Sequence, residues 1–259
     1  MTLYFPENVK AAITKDSVFF ISNTKVEIII PHDSVKGSIL VLPGWNFPQN
    51  DICLKTDFCN KFTAQGFVLI MPNMQKSIYS HKLFKETRED WRTYPTLLWI
   101  TDSLIKEIQT KFKLLLENQN NFIFGISTGG RGVALVLENT NELFNAGAAL
   151  SGDYNQLLDL KDNLMLGYYG EYSKFPERWS GEDNPFIHAS KIKTPIFIAH
   201  GKEDKIVPFK QSELFFEELI KIQPNTGHKL DLIEKAGHSY EFWSSEFDKV
   251  LIFFNTHKK

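Results

Sequence analysis

The chain has 259 residues, 42% apolar and 23% charged, with a net charge of -2 and no block of like charge. That length suits one large α/β domain or two small ones, and the apolar fraction is enough for a sizeable core. The charge balance argues against a nucleic-acid partner or an anionic membrane surface. Aromatic residues reach 14%, with 22 phenylalanines, so an aromatic core, an aromatic-lined pocket, or both are expected.

In chain order, residues 1–16 lack a basic-then-apolar leader pattern, and no later run approaches the roughly 18 apolar residues of a membrane helix. Residues 17–23 (SVFFISN) and 25–30 (KVEIII) predict a hairpin of two edge strands. Residues 38–42 (SILVL) form a third strand, ending in Pro43-Gly44-Trp45. Residues 53–64 predict one helix stopped by Gly66. It carries both cysteines, Cys53 and Cys59, whose spacing on a helix turns them to different sides. Free thiols are therefore expected, which suits a reducing, cytoplasmic compartment. Residues 67–71 (FVLIM) are a buried strand, and residues 74–95 a long polar and aromatic loop. Leu97, Ile100, Leu104, Ile108 and Phe112 mark one apolar stripe on a helix over residues 96–116.

Residues 121–137 then read as strand, tight turn and helix. Phe122, Ile123 and Phe124 are a short apolar run, Gly125-Ile126-Ser127-Thr128-Gly129 matches G-x-S-x-G, and Val133, Ala134, Val136 and Leu137 continue as a helix face. A serine on so sharp a turn needs neighbours without a Cβ, and the turn aims the first free amides of the helix at whatever the hydroxyl attacks. Next come a small-residue strand at 146–150 (AGAAL) and a less periodic stretch, 152–191. A strand at 195–200 (PIFIAH), a helix at 210–222, an alternating strand at 229–235 (KLDLIEK) and a last helix at 241–254 complete the chain. Strands alternate with helices and no repeat intervenes. This predicts a mostly parallel sheet covered on both faces, in a single domain over 1–259, with 152–191 as a small cap-like insert over the strand ends.

In such a sheet chemistry belongs at the carboxyl ends of the strands. Ser127 follows the central strand, Asp204 follows PIFIAH within His200-Gly201-Lys202-Glu203-Asp204-Lys205-Ile206-Val207-Pro208, and His238 follows KLDLIEK. A serine hydroxyl is a poor nucleophile until a base takes its proton. His238 is that base, Asp204 orients the imidazole, and the N–H groups of Thr128 and Trp45 are the oxyanion donors. Asp153, one strand earlier, is the rival acid. His200 reads as tying down the Asp204 loop, and His228 falls at the wrong end of its strand. Tyr79, Tyr154, Tyr168, Tyr169 and Trp179, in loops or the insert, are candidates for a substrate pocket, whereas Trp99 and Trp243 are expected in the core.

G-x-S-x-G-G, then H-G-x-x-D-x-x-V-P, then Gly237-His238 before the last helix, give a chain that resembles the α/β-hydrolases. The likeness is to the esterase and dienelactone-hydrolase-like group and to the catalytic domain of prolyl-oligopeptidase-type peptidases. It departs from H-G-G at the oxyanion turn, with Leu42-Pro43-Gly44-Trp45 instead, which weakens an assignment to lipases or peptidases. The resemblance implies a serine hydrolase acting on a small-molecule ester through an acyl-enzyme, with no metal or organic cofactor. A serine peptidase or thioesterase is the alternative, and a non-catalytic binding protein on the same scaffold a more distant one. Oligomeric state and acyl specificity are left open.

Overall fold

The computed structural model describes residues 16–91, 93–140 and 143–259. The stretch read for a leader therefore lies, but for Asp16, outside the described residues. One sheet contains β1 (Ser17–Ile21), β2 (Thr24–Ile29), β3 (Gly37–Leu42), β4 (Phe67–Pro72), β5 (Asn121–Ile126), β6 (Ala146–Leu150), β7 (Ile196–Gly201) and β8 (Lys229–Ile233). Their order across the sheet is β1-β2-β4-β3-β5-β6-β7-β8. The expected hairpin pairs antiparallel and joins β4 antiparallel, and every other pairing is parallel.

The central strands are buried on both sides, and their alternation sorts side chains into two layers. Leu40, Leu42, Val68, Ile70, Ile123 and Ile198 face one way, against Ile100, Leu104, Val133, Val136, Phe215 and Leu219 of the helical segments 96–112, Thr128–Asn139 and Lys210–Ile222. Ile39, Val41, Leu69, Phe122, Phe124 and Phe197 face the other way, against Phe58, Phe62, Trp243, Phe247 and Phe254. The second layer accounts for much of the phenylalanine. Phe58 stacks on Phe62 at 4.2 Å between ring centres and Phe122 on Phe254 at 4.6 Å. Trp99 and Trp243 belong to these layers, as expected.

The single helix expected at 53–64 is two, Asp51–Lys55 and Phe58–Ala64, because Thr56 is extended (φ -145°, ψ 176°). The break turns the second helix so that Cys53 and Cys59 come within 5.1 Å at Cα and form a disulfide. The expectation of free thiols is thus overturned, and the argument for a reducing compartment loses that support. The helix from Thr96 ends at Phe112, four residues early, where Lys113 turns left-handed (φ 56°), and it contains two π-helical stretches. The last helix is likewise two, Tyr240–Ser245 and Phe247–Thr256. Among the described residues no helix is long and apolar enough to cross a membrane.

Residues 152–191 hold only short helices, Asn163–Tyr169 and Pro176–Trp179, and single turns. They pack on the loop that follows β4 through a third apolar cluster of Ile78, Trp91, Met165, Tyr168, Tyr169 and Trp179. Both segments leave carboxyl ends of strands, so this cluster borders the edge of the sheet where the site is built.

Candidate active site

Ser127 sits between β5 and the helix Thr128–Asn139 at φ 54°, ψ -127°, a backbone region that disfavours side chains. The strain is possible because the helix closes on the strand through glycines. A Cβ on Gly125 would lie 2.2 Å from the Gly129 carbonyl oxygen, and one on Gly129 2.1 Å from that of Leu42. The turn brings Ser127 Oγ to 3.0 Å from His238 Nε2, and His238 Nδ1 lies 2.7 Å from Asp204 Oδ2. A carboxylate only accepts, so Nδ1–H donates to Asp204 and the Nε2 lone pair faces the serine hydroxyl.

Asp204 is anchored on its other oxygen by the amides of Ile206 (2.8 Å) and Val207 (2.9 Å). Burial pushes its pKa up, but hydrogen bonds from His200, His238 and Val207 outweigh this and hold the carboxyl well below the usual range. His200, fully buried, lies 3.3 Å from Asp204 Oδ2, 2.9 Å from the Val207 carbonyl and 2.7 Å from Ser212 Oγ. It ties the Asp204 loop to the next helix, as read from the sequence. Asp153 faces Arg131 instead, at 3.1 Å. His228 accepts from the Ile196 amide at the opposite end of the strands.

Among the described residues the Trp45 and Thr128 amides donate to no protein group, and the Pro43-Gly44-Trp45 turn abuts the serine. A Cβ on Gly44 would lie 3.2 Å from Ser127 Cβ. Backbone N–H groups beside a serine hydroxyl are the arrangement a developing oxyanion requires.

The expected aromatic pocket needs correction. Tyr79, Tyr154, Tyr168, Tyr169 and Trp179 are all 0–1% exposed and therefore pack the interior instead of lining an open cleft. Long loops of this size must bury their own apolar side chains, and these rings do that. Tyr154 stacks on Phe215 at 4.3 Å, and Trp179 Nε1 donates to the Gly170 carbonyl. Half-buried Trp45, edge-on to Trp91 at 4.7 Å, is the aromatic side chain carried by the turn beside Ser127.

Arg131 escaped the sequence reading. It is fully buried one turn after Ser127, and its guanidinium donates to Asp153, Gln156, Tyr169 Oη and the carbonyls of Ile78 and Asp183. A lone charge inside an apolar helix run was its signal, since a buried cation must be paired.

The serine elbow, with Ser127, Asp204 and His238 in that chain order after the parallel strands β5, β7 and β8, places the chain among the α/β-hydrolases. Within that class it belongs to the prolyl oligopeptidase family, which it matches over residues 59–259. Family and fold make it a hydrolase of the serine type. The fold is shared with an S-formylglutathione hydrolase from Agrobacterium tumefaciens (19% identity, TM-score 0.70, covering 91% of this chain and 90% of that one). It is shared too with a fluorophosphonate-binding serine hydrolase of Staphylococcus aureus (17%, TM-score 0.70, 93% and 98%). An acylaminoacyl peptidase from Pyrococcus horikoshii also matches (17%, TM-score 0.70), over 95% of this chain and 41% of its own length.

Proposed function

We propose that the protein hydrolyses a small carboxylic ester through an acyl-serine intermediate. Ser127 Oγ attacks the carbonyl carbon as its proton passes to His238 Nε2. The Trp45 and Thr128 amides hold the oxyanion, and Asp204 stabilises the imidazolium. The carbon–oxygen bond to the alcohol then breaks, and His238 returns the proton to the leaving oxygen. Water, deprotonated by the same imidazole, releases the acid and regenerates Ser127. The observation that carries this reading is the continuous hydrogen-bonded chain Ser127–His238–Asp204, at 3.0 and 2.7 Å, beside two amides that are free among the described residues.

The small-substrate reading is supported by fold likeness to an S-formylglutathione hydrolase. That likeness also favours a thioester as the second reading. Ser127→Ala is expected to abolish turnover of p-nitrophenyl acetate while the circular dichroism spectrum is retained; persistent turnover would refute the assignment. Rates on matched acetyl ester, thioester and dipeptidyl amide substrates rank the three, and faster amide cleavage would reverse the preference.

A further inference from the structure

Tyr79 is fully buried and held at φ 60°, a left-handed conformation rare for an aromatic residue. Its amide donates to Ser77 Oγ (2.9 Å), and Ser77 in turn donates to Thr96 Oγ1 (2.8 Å), so the position is fixed from the loop side. Its ring lies flat against the nucleophile helix, where a Cβ on Gly132 would come within 2.7 Å of it. Its hydroxyl donates to the Pro43 carbonyl at 2.7 Å. That carbonyl also lies against the helix, since a Cβ on Gly129 would approach its oxygen to 2.7 Å. One residue on, a Cβ on Gly44 would lie 3.2 Å from Ser127 Cβ, and the next amide is that of Trp45. Burial raises the phenol pKa well above its ordinary value, so the hydroxyl stays a donor across the working pH range.

We propose that Tyr79 is a positioning residue for the oxyanion site: its hydroxyl fixes the Pro43 carbonyl and thereby the angle at which the Trp45 amide meets the atom attacked by Ser127. The phenol is a strut between the nucleophile helix and the turn opposite it. It touches no substrate. Without it the Pro43 carbonyl, left with an unpaired lone pair in the interior, is free to tilt and carry Gly44-Trp45 with it.

The inference rests on the serine-nucleophile reading, and a fluorophosphonate probe tests the two separately. In that reaction the Ser127 Oγ–phosphorus bond forms, the phosphorus–fluorine bond breaks, the serine proton goes to His238, and the phosphoryl oxygen occupies the oxyanion site. The saturation curve of labelling rate gives KI for the probe and the limiting rate kinact. Tyr79→Phe keeps the ring and removes only the hydroxyl. It is expected to lower kinact about 10- to 100-fold with KI unchanged. Gly132→Ala keeps the hydroxyl but displaces the ring, and the same split is expected. An unchanged kinact in Tyr79→Phe, whether or not the melting temperature falls or KI rises, would reduce the tyrosine to packing and overturn the inference alone. A wild-type protein that is not labelled at Ser127 would overturn both readings.

Discussion

At the residue scale, Asp204 shows how one carboxylate is kept charged in a nearly dry place. Two backbone amides neutralise one oxygen, and His238 and His200 approach the other. Removing the charge while keeping the shape isolates its contribution. In Asp204→Asn the side-chain carbonyl still accepts from Ile206 and Val207, but a neutral amide neither selects the Nδ1–H tautomer nor stabilises the imidazolium. A fall in kcat of about 10⁴-fold, with KM little altered, is the expected outcome of steady-state kinetics on an activated ester. A loss of less than tenfold would point to another acid. Asp153 is unsuited to stand in, because it is committed to Arg131.

At the element scale, the turn between β5 and its helix works because backbone takes the place of side chains. Gly125 and Gly129 are in contact with each other, and Gly129 also with the carbonyls that end β3. None of those atoms is the end of a flexible side chain, so a clash there cannot be relieved locally. Gly129→Ala is therefore expected to cost about 3 kcal/mol of stability, read as a shift in urea midpoint at constant slope. A midpoint within experimental error of wild type would show that the strand and helix separate easily. The same backbone logic explains Thr56, where an extended residue converts one amphipathic helix into two and so pairs Cys53 with Cys59.

At the scale of the whole molecule, the loop after β4, the helix Thr128–Asn139 and the insert are joined through a few buried polar groups. Arg131 binds backbone of the loop at Ile78 and of the insert at Asp183. Asp183 reaches back to the loop, accepting from the His81 amide (2.8 Å) and from its Nδ1 (2.9 Å). That hydrogen bond, against a smaller opposing effect of burial, raises the His81 pKa. A folded-state pKa above the unfolded one means stabilisation fully present below about pH 6.5 and lost as pH rises through the higher folded value. His81→Gln keeps the backbone contact and removes the titration. The stability gap between wild type and this variant should be larger at pH 5.5 than at pH 9 in urea titrations. A gap independent of pH would mean that His81 does not gain a proton on pairing with Asp183.

The sequence by itself determined the alternation of strands and helices, the turn at Ser127, and the order in which serine, aspartate and histidine follow three of the parallel strands. These are local matters of period, glycine placement and residue chemistry, and they can be read in a window of a dozen residues. The tertiary structure decided what depends on distance across the chain. It turned the loop and insert aromatics inward, because only packing between two long loops determines which of their faces is wet. It joined Cys53 to Cys59 through one extended residue that helical periodicity does not mark. It also brought Tyr79 to Pro43 and Arg131 to Asp183, contacts between segments 36 and 52 residues apart that no local pattern encodes.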